Sequence, residues 1–131
     1  MDSVVCGTDP QCIADGVNGI SMTVRDAARF GQLYLQNGQW NGEQLISAQW
    51  VAESTAAQNN GAGDGTGSYG YQWWIRSFQG YDTYYAFGAH GQFIFVVPEL
   101  DLVTVIASNS VEESYAPRPY FSDYVLSAYT G

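Results

Sequence analysis

Apolar residues recur first with a helical period and later with a period of two. Val24, Ala27, Ala28, Gly31, Tyr34 and Leu35 stand at i, i+3, i+4, i+7, i+10 and i+11, one stripe of an α-helix. Thr23-Val24-Arg25-Asp26 precedes them as a capping box with Asp in the Glu position, and Gly38 after Asn37 is a C′ stop. Trp40-Asn41-Gly42-Glu43 reads as a turn, and Ser47 caps a second, shorter helix through Ala48-Gln49-Trp50-Val51-Ala52-Glu53. Residues 56–68, with four glycines and no side chain able to build a core, read as a flexible glycine-rich loop. From Tyr69 onward Tyr69, Tyr71, Trp73 and Ile75 alternate with Gly70, Gln72, Trp74 and Arg76, a strand with one mostly apolar face. Residues 83–87, 92–97 and 102–108 are three further β-like runs. The last two flank Pro98-Glu99-Leu100-Asp101 as an antiparallel hairpin and are apolar on both faces, as central strands are. From Pro119, Tyr120, Phe121, Tyr124, Val125 and Ala128 form a closing helical stripe that should lie on the sheet. This order predicts an α+β fold, an antiparallel sheet of three to four strands packed with two N-terminal helices and one C-terminal helix.

Composition narrows the chemistry. A chain of 131 residues is one domain and can bury roughly two-thirds of its unfolded surface. Four Arg, no Lys and thirteen acidic residues give a net charge of −9, which repels phosphate backbones and anionic lipid surfaces and argues against a nucleic-acid partner. Without lysine there is no lysine base, no Schiff base and no phosphate-loop lysine. Gly65-Thr66-Gly67-Ser68-Tyr69-Gly70 matches G-x-G-x-x-G but precedes a strand instead of following one, so it carries no phosphate role. One His and two Cys make no zinc set of three or four such ligands, and no cofactor is implied. Cys6 and Cys12, separated by a turn-like stretch, fit either a small-loop disulfide or two free thiols. No basic leader and no apolar run near 18 residues is present, so neither a signal peptide nor a membrane span is expected. The acidic composition and the cysteine pair lean toward a periplasmic or extracellular setting.

Three groupings of residues are candidates for chemistry. The single histidine sits in Gly88-Ala89-His90-Gly91-Gln92, where small residues let a ligand approach backbone N–H groups able to stabilise an oxyanion. The plainer reading is a glycine bulge with a partly exposed histidine. Glu99 with Asp101 and Glu112 with Glu113 are the close carboxylate pairs, both in apparent turns, whereas a glycosidase needs two acids converging about 5–10 Å apart. Trp73 and Trp74 point to opposite faces of a strand, so one can line a cleft while the other joins the core. No G-x-S-x-G elbow exists.

Several motifs, in order, are similar to a known family. Residues 17–31, Gly42-Glu43-Gln44-Leu45-Ile46-Ser47 with Trp50-Val51, Tyr71-Gln72-Trp73-Trp74, Gly88-Ala89-His90-Gly91-Gln92 and residues 97–103 together resemble the later part of the serine β-lactamase and penicillin-binding-protein family. The G-x-H-G-Q form is similar to that of the 6-aminohexanoate-dimer hydrolases and related esterases of its class C-like branch. The resemblance spans about residues 16–110 and implies an incomplete β-lactamase-like domain over residues 1–131, the carboxy-terminal part of a parent that hydrolyses a small ester or amide through an acyl-serine. Of the family's S-x-x-K, Y-x-[NS] and K-T-G-type motifs the first is absent, since there is no lysine, and the only Y-x-S, Tyr120-Phe121-Ser122, falls after the third-motif region. The chain alone is therefore expected to be inert. The third motif falls at Ala86-Phe87-Gly88, or with His90 as its cation if the register shifts by one gap. The resemblance assigns the Ala89 N–H to the oxyanion hole and Gly88, His90, Gly91, Gln92 and Trp74 to the cleft. It further implies that the parent's amino-terminal part covers one sheet edge, so that this chain alone self-associates or exchanges elements. An aromatic-rich, acidic binding module without catalysis is the alternative.

Overall fold

The computed structural model describes residues 19–111 and 113–131. Cys6 and Cys12 lie outside these residues. Helix α1 (Val24–Leu35) starts where its cap predicts. The Thr23 hydroxyl accepts from the Asp26 N–H at 3.1 Å and donates to Asp26 Oδ2 at 2.8 Å, while Arg29 reaches Asp26 Oδ1 at 2.8 Å. The helix ends at a left-handed pair, Asn37 (φ 53°) and Gly38 (φ 81°), and the Gly38 N–H donates to the Leu33 carbonyl at 2.8 Å. A Cβ on Gly38 would lie 1.9 Å from the Ile46 carbonyl oxygen, so the position requires glycine. The expected turn over residues 40–43 is the tip of a two-stranded hairpin, β1 (Gln39–Trp40) and β2 (Glu43–Gln44). Asn41 and Gly42 both have positive φ there, the signature of a type I′ turn. Helix α2 (Ala48–Ser54) follows, its Trp50 N–H donating to Ser47 Oγ at 3.1 Å.

The main sheet is an antiparallel meander of β3 (Ser68–Tyr69), β4 (Trp74–Phe78), β5 (Tyr81–Gly88), β6 (Gln92–Val97) and β7 (Leu102–Ile106), in that spatial order. It has five strands where three to four were expected, because the strand read from Tyr69 to Arg76 folds back on itself. Tyr69 pairs with Trp74 and Ser68 with Ile75, around a turn at Gln72 (φ 69°). The end of α2 fixes that turn: the Ser54 carbonyl accepts the Tyr71 N–H at 2.9 Å, and a Cβ on Gly70 would lie 2.2 Å from the same oxygen. Residues 92–97 and 102–106 do form the expected hairpin, joined by a 3-10 turn at Pro98–Leu100 and Asp101 in the left-handed region. The central-strand reading is correct for β6 only, since β7 is an edge of the sheet among the described residues.

Alternation along the strands builds a core on each face. Tyr84, Val96 and Ile94 face α1 and α2, where they pack with Tyr34, Val51 and Trp73. Tyr85, Phe93, Phe95, Val97 and Phe78 face the carboxy-terminal helical segment and pack with Phe121 and Leu126. Phe95 and Phe121 stack at 4.0 Å between centroids with planes 3° apart, and Phe78 meets Phe121 edge-on at 5.4 Å. The closing segment runs through Arg118–Tyr120, a π-helical stretch Phe121–Leu126 and a last α turn Ser127–Thr130. The wider π turn puts Phe121 and Leu126, five apart, on the buried side and leaves Tyr120 and Tyr124 exposed. The α-helical stripe that placed those two tyrosines on the sheet is thereby corrected.

Residues 56–68 contribute more than a tether. Thr66 is fully buried, with its hydroxyl and N–H on Asp64 Oδ1, its carbonyl accepting the Tyr85 hydroxyl, and Asp64 Oδ2 accepting from Tyr115 at 3.2 Å. The Thr66 hydroxyl and N–H hold the Asp64 carboxyl below its usual range. Among the described residues no helix is long and apolar enough to cross a membrane.

Helix α1 seats on β6 and β7 at Gly31, where an added Cβ would lie 2.7 Å from Val103 Cγ1 and 2.9 Å from Ile94 Cγ2. Neither β-branched methyl can swing away cheaply. In an open helix Gly→Ala gains about 1 kcal/mol. Here overpacking of about 1–3 kcal/mol opposes that gain. Gly31→Ala is expected to lower the midpoint of urea unfolding, where an exposed helical glycine would raise it.

Candidate functional site

A cleft of about 610 Å³ opens where the first turn of α1 faces the loop joining β5 to β6. Its floor is apolar, made by Ala86, Ile94 and Val105 on the α1 face of the sheet; Ile20, Met22 and Thr23 form one rim, and Gly88, Ala89, His90 and Gln92 the other. Among the described residues His90 is the one titratable side chain lining it. The sheet puts this loop at the cleft mouth because Gly88 pairs with Gln92, which leaves Ala89, His90 and Gly91 as a three-residue connection.

Downstream residues hold the loop in shape. The His90 N–H donates to Ser114 Oγ at 3.0 Å, and its carbonyl accepts from Ser108 Oγ at 2.6 Å and from the Ser110 N–H at 3.0 Å. His90 adopts φ 65° and Gly91 φ 80°. Gly91 is buried behind the rim, where a Cβ would lie 2.5 Å from Ser108 Oγ and 2.7 Å from Pro117 Cγ. The exposed Ala89 N–H has no acceptor among the described residues, so it is available to a ligand. A fixed backbone donor beside an apolar floor suits stabilisation of charge developing on a carbonyl oxygen, because it needs no reorganisation as that charge appears.

The structure thus brings together Gly88, Ala89, His90 and Gln92, sets Gly91 behind them, and places Trp74 elsewhere. The Trp74 ring lies 4.5 Å from Tyr69, on the face that carries Phe78 and Tyr85, while Trp73 is core at 2% exposure. Neither Trp lines the cleft. Glu99 and Asp101 sit at the β6–β7 turn, at the other end of β6 from Gln92, and among the described residues no Asp or Glu lines the cleft. Among the described residues no group of three or more His, Cys, Asp or Glu is placed to hold a metal ion. Ser108, Ser110 and Ser114 were not legible as site residues, since they act on a loop up to 24 positions away through bonds that leave no spacing signal.

Asp26 ties the opposite rim to its helix. The Thr23 hydroxyl, and after it Arg29, hold the Asp26 carboxyl below its usual value of 3.8. A carboxylate with a lowered folded-state pKa stabilises the fold fully above its unfolded value, and that stabilisation is lost as pH falls through the folded one. Asp26→Asn should therefore flatten the decline in stability below about pH 4, measured by urea unfolding across pH. Gly91→Ala is expected to cost at least about 1–2 kcal/mol from the left-handed backbone alone. Amide exchange should show the loss concentrated at Ala89, His90 and Ser110.

Comparison with known proteins gives a consistent result. A family model described as "Beta-lactamase" matches residues 3–125. A curated "6-aminohexanoate-dimer hydrolase" of Paenarthrobacter ureafaciens is 32% identical over 99 residues, which cover 70% of this chain and 25% of that protein. A solved structure described as "Putative 6-aminohexanoate-dimer hydrolase from Bacillus anthracis" superposes with a TM-score of 0.76 at 30% identity, covering 95% of this chain and 32% of the other. The chain thus spans about a quarter of the curated relative's length and about a third of the solved one.

Proposed function

The chain belongs to the beta-lactamase family, and on that basis we propose that it is the carboxy-terminal part of a serine hydrolase cleaving an ester or amide through an acyl-serine intermediate. The observation that carries this reading is the Ala89 N–H, open to a ligand on a braced loop beside an apolar cleft. In the parent, a serine oxygen outside this chain attacks the substrate carbonyl, and the Ala89 N–H with the serine's own amide takes up the oxyanion. The tetrahedral species expels the alcohol or amine, and water then releases the acid from the acyl-serine. The apolar floor of Ala86, Ile94 and Val105 suits an aliphatic acyl chain. The relatives' names point to amides of an aminohexanoate type.

This chain supplies cleft wall and oxyanion donor, and with no lysine it supplies no S-x-x-K base. Its β7 edge, together with the exposed Ile20, Met22 and Val24, is where the parent's amino-terminal part or a second copy would dock.

The purified chain should not hydrolyse p-nitrophenyl acetate or nitrocefin above buffer, and light scattering at micromolar concentration should show self-association. Joined to a segment carrying S-x-x-K and Y-x-N, it should gain hydrolysis. In that protein Ala89→Pro, which removes the N–H, should lower kcat by about 10²–10³-fold while Ala89→Gly does not. Covalent labelling of the chain alone by a fluorophosphonate would overturn the reading.

A further inference from the structure

A second cleft, of about 510 Å³, lies toward the carboxyl end of α1 and shares no lining residue with the first. Gln32 and Gln36 line it from the helix, and Gln39, Trp40, Asn41 and Gly42 from the β1–β2 hairpin. Among the described residues no ionisable side chain lines it. It consists of four carboxamides, each both donor and acceptor, around one indole.

Trp40 differs from the other three tryptophans. Trp73 is buried against Tyr34 and Tyr84, Trp74 lies on Tyr69, and Trp50 stacks on Tyr71, whereas Trp40 has no aromatic partner among the described residues and is half-buried. The hairpin that carries it is clamped. The Leu45 and Ile46 N–H groups donate to the Gly38 carbonyl at 2.9 and 3.2 Å, and Gln44 Nε2 donates to the Asn37 carbonyl at 2.7 Å. The type I′ turn at Asn41-Gly42 fixes the tip, so the backbone that carries Trp40 and Asn41 is set before any ligand arrives.

We propose that this cleft binds a neutral saccharide. A sugar ring presents C–H groups that lie on an indole face, and vicinal hydroxyls that pair with carboxamides as both donors and acceptors. The net charge of −9 disfavours anionic ligands, and a cationic ligand would find no carboxylate in the lining. The site is separate from the acyl-transfer cleft and needs none of its residues.

The test is NMR titration of the full chain with maltohexaose, cellohexaose and chitohexaose, with hexagalacturonate as the charged comparison. At least one neutral hexasaccharide is expected to shift the Trp40 indole N–H and the side-chain amides of Gln32, Gln36 and Gln39. Trp40→Ala should weaken that binding by about tenfold or more. The surface pair Gln32→Ala with Gln36→Ala should weaken it as well, which preserves the test if Trp40→Ala disturbs the hairpin. The proposal is overturned if no neutral saccharide moves these resonances at about 10 mM, if hexagalacturonate binds as tightly, or if binding survives both sets of substitutions.

Discussion

The structure depends on a sheet that must be covered on both faces at once. In β6 every residue from Phe93 to Val97 is buried or partly buried, and alternation sends Phe93, Phe95 and Val97 one way and Ile94 and Val96 the other. Neither face can meet water without exposing a continuous apolar surface. One face is closed by rings stacking on rings, centred on Phe95 and Phe121, and the other by a helix brought close at a glycine, with Tyr34, Trp73 and Tyr84 packed beside it. Because α1 must approach that closely, its amino end is delivered to the β5–β6 loop and its carboxyl end to the small hairpin. Both clefts are consequences of seating one helix.

Much of this was legible in the chain, for identifiable reasons. Thr23 and Ser47 cap the helices they predict because a hydroxyl three residues before a free N–H is a local device. The β6–β7 hairpin was legible from two apolar runs around Pro98 and Asp101. What escaped depends on partners distant in sequence. The fold-back at Gln72 is imposed by the Ser54 carbonyl, so an unbroken period of two through Tyr71 and Trp73 masked a turn. The π-helical turn is set by Phe121 and Leu126 both reaching one core, and a 3.6-residue period assigned the wrong tyrosines to it.

The site follows the same division. Gly88, Ala89 and His90 announced themselves as a place where backbone is exposed, and the structure puts these three on a cleft with Gly91 buried behind them. Trp74 carried the same kind of promise as an aromatic beside a strand. Tertiary packing decided against it, since Tyr69 covers the ring on the far face of the sheet. Composition helped most through what it lacks: with no lysine anywhere in the sequence, an S-x-x-K motif cannot be written in it.

The loop from Ala89 to Gly91 owes its shape to Ser108, Ser110, Ser114 and Pro117, none of which lines the cleft. The connection between β7 and the closing helix therefore acts as a remote adjuster of the cleft mouth. Altering its length or its hydroxyls would re-aim an amide at the rim without altering a single wall residue, a route by which members of one family could diverge in selectivity while their walls stay the same.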